Sequence, residues 1–135
     1  MKNKIILTII FSSITLFGAE FAIVADKNFQ LDSLNAKQTK DIFLMKRQFV
    51  KGVKVVPVNA SATSKQRDVF EKMFLKMPRH RLTKYWTKMH FQGVRPPIVQ
   101  ASSKSIQLFV KNVEGALGYV PKSEIDATVK VLYEF

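Results

Sequence analysis

Hydroxyl-bearing and basic residues follow one apolar segment of the chain at a spacing that could bind an anion. The segment VVPVNASATSKQRDVF, residues 55–70, begins with apolar residues, passes through small residues that include Ser61, Thr63 and Ser64, and ends in a basic stretch with Arg67. This order predicts a strand, a tight turn and the first turn of a helix. Backbone N–H groups converge at such a junction, and the helix dipole favours negative charge there.

The same segment also has the pattern of a helix that is capped without any ligand. Serine and threonine are preferred N-cap residues because their side-chain oxygen accepts a hydrogen bond from an N–H group of the first turn. The residues alone therefore leave two interpretations open, an oxyanion site at Ser61–Ser64 or an N-cap and nothing more.

Sequence patterns of enzymes and metal sites are missing from the chain. There is no GxSxG, HExxH or Walker motif, and there is no cysteine to act as a nucleophile. His80 and His90 stand ten positions apart at opposite ends of a predicted helix, with no carboxylate close to them in sequence, whereas a metal site needs its ligands on one face. We therefore predict no catalytic activity, no cofactor and no metal.

A basic segment with aromatic residues, 78–91, raises the question of nucleic-acid binding. Exposed aromatic side chains among cations can stack on bases. Here, however, Tyr85 and Trp86 share a helical stripe with Leu82 and Met89, and a stripe at that spacing is typical of a helix face that packs on a core. The pattern argues against nucleic acid as a partner.

The N-terminus has the layout of a secretory signal peptide. Lys2 and Lys4 precede the uncharged run Ile5–Phe17, and small residues follow, with cleavage predicted after Ala19. The run has 13 residues, which is short for a bilayer-spanning helix of ~20. We predict a signal peptide over 1–19, with an uncleaved membrane anchor as the alternative.

The remaining chain, 20–135, has the length of one domain and is strongly basic. Loss of the two N-terminal lysines lowers the formal net charge from +12 to +10. This charge favours anionic partners such as phosphate-like solutes, acidic lipids or wall polymers, although it also suits a merely solvated surface. An exported protein without cysteine has no disulfides, which fits a bacterial periplasm.

Apolar runs and helix caps alternate along the domain, which predicts an α/β fold with a small mixed sheet flanked by helices. The predicted strands are Phe21–Ala25, Val53–Val58, Ile98–Gln100, Ala116–Val120 and Thr128–Tyr133. The predicted helices begin at the capping-box pair Asn35 and Gln38, at Ser64, at Pro78 and at Ser102 or Ser103.

Five motifs together resemble the substrate-binding proteins of phosphate ABC transporters. They are LNAKQTKDIFL (34–44), VVPVNASATSKQRDVF (55–70), KYW (84–86), GVRPP (93–97) and GALGYVP (115–121). The resemblance covers nearly all of the domain. It implies one lobe of a type 2 periplasmic binding protein fold, because the chain is too short for the two lobes of a complete receptor.

The resemblance also implies a ligand site and shows where this chain departs from it. Aligned with the family's S-G-T loop, Ser61 and Thr63 keep their hydroxyls, while Ala62 replaces the glycine. Asn59 stands where the family has an aspartate, and Pro57 stands where it has an arginine. The family's DIFLGK helix reads DIFLMK here. Loss of a charge-assisted bond costs roughly 1.5–3 kcal/mol, so we expect weak binding.

These observations give two functional hypotheses. The first is an exported, periplasmic solute-binding-like protein that binds phosphate or another oxyanion weakly through Asn59, Ser61, Thr63, Ser64 and Arg67. It would be part of, or derived from, a phosphate ABC transport system, and a homodimer or an envelope protein would complete the site. The second is a cell-envelope adaptor module with a vestigial site and a basic docking surface.

Overall fold

A computed structural model describes residues 19–135 of the chain. The predicted signal peptide therefore lies outside the described residues, except for Ala19. Within the described range, no helix combines the length and the apolar composition that crossing a bilayer requires.

Strands and helices alternate along the described residues. The strands are β1 (Phe21–Asp26), β2 (Phe49–Val50), β3 (Val53–Lys54), β4 (Val56–Ala60), β5 (Ile98–Gln100), β6 (Ala116–Pro121) and β7 (Val129–Glu134). The helices are α1 (Ala36–Phe43), α2 (Lys65–Val69), α3 (Arg79–Phe91) and α4 (Ser103–Asn112). A π-helical turn, Phe70–Phe74, continues α2, and a short 3-10 turn, Lys122–Glu124, follows β6.

Five strands form one mixed sheet in the order β5-β4-β6-β1-β7. Strand β4 is parallel to β5 and to β6, whereas β1 is antiparallel to both of its neighbours. The first five residues of β1 and of β6 are buried, which explains their nearly continuous apolar sequence. The predicted class, a mixed α/β sheet flanked by helices, is confirmed.

Helices cover both faces of this sheet, as two neighbouring residues of β6 demonstrate. Gly118 faces α4, and a Cβ atom there would lie 2.4 Å from the Cγ2 atom of Ile106, so only glycine permits this close packing. Tyr119 points to the other face. Its ring stacks on Phe70 at a centroid distance of 4.0 Å and meets the edge of Phe43 at 5.7 Å.

The predicted strand Val53–Val58 is two strands in the structure. Its first part, β3, pairs with β2 in a separate hairpin, while β4 belongs to the main sheet. Lys51 and Gly52 connect β2 to β3 with φ angles of 49° and 79°, as a two-residue type I′ turn requires. The hairpin extends to Val55, whose N–H donates to the carbonyl of Gln48 at 2.9 Å.

The spacing of Val69, Phe70, Met73 and Phe74 at i, i+1, i+4 and i+5 predicts one apolar face for the helix after Ser64, and the π-helical turn alters this face. Phe70 and Phe74 are buried, as expected, but Met73 is 71% exposed. The N–H of Leu75 bonds to the carbonyl of Phe70, five residues back, so the 3.6-residue period ends at this turn. The wider turn buries Glu71 in addition.

The stripe predicted for α3 points towards the domain but is only shallowly buried. Leu82 is buried, whereas Tyr85, Trp86 and Met89 are half-buried. The Tyr85 hydroxyl donates to the carbonyl of Leu44 at 2.6 Å and holds α3 against the end of α1. His80, near one end of α3, is exposed and faces away from that contact.

Candidate functional site

The loop with the predicted site residues, Ser61–Ser64, follows β4 at one edge of the sheet. Because β4, β5 and β6 are parallel, their carboxyl ends, at Ala60, Gln100 and Pro121, lie at the same edge. The connection after β4 leads to β5 on one side, while β6 lies on the other. Loops at such a reversal of strand order are common binding sites in α/β proteins.

Ser64 is the N-cap residue of α2. Its Oγ accepts a hydrogen bond from the Arg67 N–H at 3.2 Å and donates one to the Ser61 carbonyl at 2.7 Å. Both bonds lie inside the loop, so the hydroxyl of Ser64 serves the cap. The N-cap interpretation is therefore confirmed for this residue, and the question of an anion site passes to Ser61 and Thr63.

Three consecutive carbonyl groups of the loop accept hydrogen bonds from within the protein. The Ala60 carbonyl accepts from Arg67 Nη1 at 3.2 Å, and the Ala62 carbonyl accepts from Arg79 Nη2 at 2.9 Å. Between them, the Ser61 carbonyl accepts from the N–H and the hydroxyl of Ser64. These carbonyl oxygens, which would repel an anion, thus already accept hydrogen bonds from donor groups of the protein.

The hydroxyl and N–H donors of the loop, in contrast, make few hydrogen bonds to the rest of the protein. The Oγ of Ser61 and the Oγ1 of Thr63 lie 3.3 Å apart and contact each other, and Thr63 is exposed. Within residues 19–135, the N–H groups of Ala62 and Thr63 donate no hydrogen bond. Because one hydroxyl of this pair donates to the other, one hydroxyl and the two amides of the loop remain free to donate to a ligand.

Asn59, which the sequence predicted as a ligand-binding residue, faces the protein interior. It is 9% exposed, and its Oδ1 accepts a short hydrogen bond from the Tyr119 hydroxyl. The Tyr119 oxygen in turn accepts from the Ala60 N–H at 3.1 Å. Burial raises the pKa of the Tyr119 hydroxyl well above its ordinary value, so this hydroxyl stays protonated and donates to Asn59.

Arg67, the cation among the predicted ligand-binding residues, is part of a partly buried charge cluster with Glu71 and Arg79. Its Nε lies 3.4 Å from Glu71 Oε2, and its side chain is 15% exposed. Glu71 Oε1 also contacts Arg79, at 2.7 Å from Nε and 2.6 Å from Nη2. The guanidinium of Arg67 is thus held by Glu71 and by the Ala60 carbonyl, and it supports the loop from inside.

Sequence reasoning missed three residues of this site. Glu71 and Arg79 lie seven and fifteen positions beyond the end of the loop, and Tyr119 lies 60 positions beyond Asn59. One signal was available for Glu71, an acidic residue directly after Phe70 on the predicted apolar face. The pairing of Tyr119 with Asn59 depends on the order of the strands, which no local pattern contains.

A cleft of about 520 Å³ opens at the same edge, between the beginnings of α2 and α4. Lys65 and Lys122 line it with cationic side chains, and Glu20 and Glu124 add acidic ones. Gln66 bridges the two helices, since its amide donates to the Tyr119 carbonyl at 3.2 Å and its Oε1 accepts from Ser103 Oγ at 3.1 Å. Ser61 and Thr63 lie outside this cleft.

The chemistry available at this edge is that of binding through hydrogen-bond donors. Hydroxyls, amides and ammonium groups surround the loop and the cleft, and they can donate to an anion without a covalent step. Among the described residues, no three histidine, aspartate or glutamate side chains lie close enough together to hold a metal ion.

Comparison with known proteins gives a match in structure alone. No protein-family model matches the chain, and no curated protein matches it.

The solved structures that match include proteins described as phosphate-binding or phosphate-transport proteins. One is described as a phosphate ABC transporter substrate-binding protein with bound phosphate from Clostridium perfringens, at 24% identity and a TM-score of 0.67. It is matched over 84% of this chain and 44% of its own length. A phosphate transport receptor from Vibrio cholerae matches at 20% identity and a TM-score of 0.69, over 84% and 45%. PstS from Borrelia burgdorferi matches at 14% identity and a TM-score of 0.62, over 84% and 46%.

The comparison shows that the described residues have the fold of one lobe of such periplasmic binding proteins. The predicted resemblance in fold is confirmed. The chain spans less than half the length of each of these structures, which fits one lobe of a larger receptor.

Proposed function

We propose that the chain is an exported, periplasmic solute-binding-like protein that binds phosphate or another oxyanion weakly at the loop Ser61–Ser64. It is derived from, or works with, a phosphate ABC transport system. The fold supports this proposal, because the matching structures are phosphate receptors and one of them contains bound phosphate.

The observation that carries the proposal is a difference between the acceptors and the donors of the loop. Its carbonyl groups accept hydrogen bonds from the protein, whereas several of its donor groups have no acceptor among the described residues. Arg67, Arg79 and Ser64 hold the three carbonyls. This arrangement leaves the free proton of the Ser61–Thr63 hydroxyl pair, together with the N–H groups of Ala62 and Thr63, as hydrogen-bond donors to an oxyanion. Preorganised donors of this kind recognise phosphate and sulfate in many proteins.

Weak binding follows from the side chains that surround the loop. Pro57 is buried in β4 and offers no guanidinium, and the oxygen of Asn59 is bound to Tyr119. Ala62 carries a Cβ atom where the resembling family has glycine. A second wall, from another copy of the chain or from an envelope protein, would be needed to enclose the ligand.

A thermal-shift titration tests the proposal. Phosphate, sulfate and chloride are added at matched ionic strength to the wild type, to Ser61→Ala/Thr63→Ala and to Ser33→Ala, a control at an exposed serine far from the loop in sequence. A ligand at ten times its Kd stabilises the folded state by about 1.4 kcal/mol, which raises the Tm of a domain this size by roughly 3–6 °C.

The proposal predicts an increase in Tm with phosphate or sulfate, but not with chloride, in the wild type and in the Ser33→Ala control. The increase should disappear in the double variant. Equal, small responses to all three salts in all three proteins would contradict oxyanion binding and would leave the loop as a helix cap.

A second candidate function is an interaction module of the cell envelope. The observation that favours it is the uneven distribution of charge along the chain, since residues 72–113 contain nine lysines and arginines and no aspartate or glutamate. Such a module would depend on a basic surface and would not require a ligand at Ser61 and Thr63.

A further inference from the structure

The positive charge of the domain is concentrated in one continuous segment. Residues 72–113 contain nine lysines and arginines and none of the ten aspartates and glutamates of the chain. The rest of the domain, 20–71 and 114–135, has eleven lysines and arginines against all ten acidic residues. The segment therefore carries about +9 of the +10 charge, and α3 lies inside it.

One side of α3 combines exposed cations with an exposed aromatic ring. Phe91 is 85% exposed, and it lies nine positions after the buried Leu82, which at 100° per residue places the two on opposite sides of the helix. Lys84 and Lys88 precede Phe91 by seven and three positions and share its side. We define the α3 outer face as these three residues together with His80 and Thr87, all of them exposed.

The cations of the α3 outer face have no acidic partner among the described residues. Two lysines of other helical segments are paired, Lys37 with Asp41 at 2.8 Å and Lys72 with Asp68 at 3.0 Å. Lys84 and Lys88 form no such pair. Their charge is uncompensated and directed outwards, which favours an anionic surface as partner.

We propose that the α3 outer face docks the protein on a membrane surface that contains anionic lipids. An exposed helix side with lysines around one aromatic ring matches the interfacial mode, in which the ring enters the headgroup boundary and the lysines stay among lipid phosphates. Thr87 and Phe91 also border a cleft of about 500 Å³ beside α3, but Phe91 remains 85% exposed and accessible to a lipid surface.

Charge-matched variants test the electrostatic part of the proposal. Binding to vesicles of phosphatidylglycerol and phosphatidylcholine is measured for the exported protein, for Lys84→Gln/Lys88→Gln and for Lys51→Gln/Lys54→Gln. The second pair lies in the β2–β3 hairpin, is exposed and removes the same charge. Each lysine near the surface contributes about a factor of 5, so the α3 variant should bind about 25-fold more weakly.

Substitution of an exposed ring tests the insertion part. Phe91→Ser should reduce vesicle binding about tenfold, whereas Phe49→Ser, at another exposed phenylalanine, should leave it unchanged. Trp86 is the only tryptophan of the chain and lies on the domain side of α3, so Phe91→Trp in a Trp86→Phe background places a single fluorescent reporter on the α3 outer face. We expect a shift to shorter wavelength with phosphatidylglycerol vesicles and none with pure phosphatidylcholine.

The docking proposal is independent of oxyanion binding at the loop. The Ser61→Ala/Thr63→Ala variant should therefore bind vesicles as the wild type does. Equal losses for the two lysine pairs would show that only net charge matters and would overturn the assignment to α3. Absence of binding to phosphatidylglycerol vesicles, or full binding by Phe91→Ser, would also overturn it.

Discussion

Met45 shows how a single residue can keep a backbone conformation that its side chain disfavours. After α1, the N–H of Lys46 bonds to the Asp41 carbonyl at 2.8 Å and the N–H of Met45 to the Ile42 carbonyl at 3.1 Å, which is the Schellman pattern. The residue in the left-handed position is Met45, with φ of 58°. The resembling family has glycine at this point, so the conformation is retained although the glycine is lost.

Glycine at position 45 should therefore stabilise the protein relative to alanine there. Met45→Gly removes the Cβ atom that costs an L-residue energy in the left-handed region, whereas Met45→Ala removes the side chain and keeps that cost. We expect Met45→Gly to exceed Met45→Ala by about 1 kcal/mol in free energy of unfolding, measured in urea. Equal stability of the two variants would show that the turn stores no such strain.

Asn59 was placed in the site because it aligns with an aspartate of the resembling family, and the structure shows why that inference was incomplete. Its oxygen accepts from Tyr119, a residue 60 positions away that only the pairing of β4 with β6 brings near. Ser61, Thr63 and Ser64 were identified from local pattern, and the hydroxyl pair of Ser61 and Thr63 keeps one free donor. The local sequence does not show which distant residue forms a hydrogen bond with a given side chain.

The hydrogen bonds of the Tyr119 hydroxyl should contribute measurably to stability. Tyr119→Phe leaves the Asn59 oxygen and the Ala60 N–H without this partner in a buried environment, at a cost of about 1–3 kcal/mol. Tyr133→Phe is the matched control, because the Tyr133 hydroxyl makes no hydrogen bond within the described residues. Urea unfolding should separate the two variants, and similar losses would contradict a role for the hydroxyl.

Tyr119 also predicts a pH dependence of stability. Burial raises the pKa of its hydroxyl above the ordinary value of 10.0, so the folded state holds a proton that the unfolded state releases. The stabilisation is fully present below pH 10 and is lost as the pH rises further, by up to about 1.4 kcal/mol per pH unit. Between pH 10 and 11, Tyr119→Phe should lose less stability than Tyr133→Phe, and equal slopes would contradict this assignment.

The cluster of Arg67, Glu71 and Arg79 acts at the scale of elements, because it joins α2, the π-helical turn and α3 and fixes the loop between them. Glu71 is 4% exposed and has a guanidinium on each side. Glu71→Gln leaves these cations without their counter-charge, and breaking a buried ion pair typically costs 3–5 kcal/mol. Because glutamine keeps some hydrogen bonds, we expect a loss of about 2–4 kcal/mol in urea unfolding.

Asp68→Asn provides the control for the Glu71 substitution within the same helical segment. Asp68 pairs with Lys72 at 3.0 Å, but both side chains are more than half exposed. Exposed pairs of this kind contribute less than about 1 kcal/mol. A loss for Glu71→Gln no larger than that for Asp68→Asn would contradict the view that the cluster supports the loop.

Elements with local signals were predictable, and elements defined by distant partners were not. The capping boxes at Asn35 and Ser102 locate the starts of α1 and α4 because cap and helix lie in one short segment. The division of 53–58 into β3 and β4 depends on two different partner strands. The exposure of Met73 depends on a π-helical turn, for which the sequence has no clear signal.

At the scale of the whole molecule, the uneven charge predicts a cost in stability that salt relieves. The like charges of residues 72–113 repel one another in the folded state, and screening shortens the range of that repulsion to about 10 Å at 0.1 M salt. An increase in salt from 10 to 300 mM should therefore raise the Tm without any specific anion. This general effect is the reason that oxyanion titrations need matched ionic strength.

Charge reversal at two helix lysines separates this repulsion from ordinary ion pairing. Lys84→Glu places an acid among basic neighbours, with Lys88 four positions later, and should raise stability by about 0.5 kcal/mol at 10 mM salt. Lys37→Glu changes the net charge equally but breaks the bond to Asp41, which holds the pKa of that carboxyl below its usual value. It should lower stability. Because both effects are Coulombic, each should shrink at 300 mM salt, and a stabilising Lys37→Glu would show that net charge alone decides.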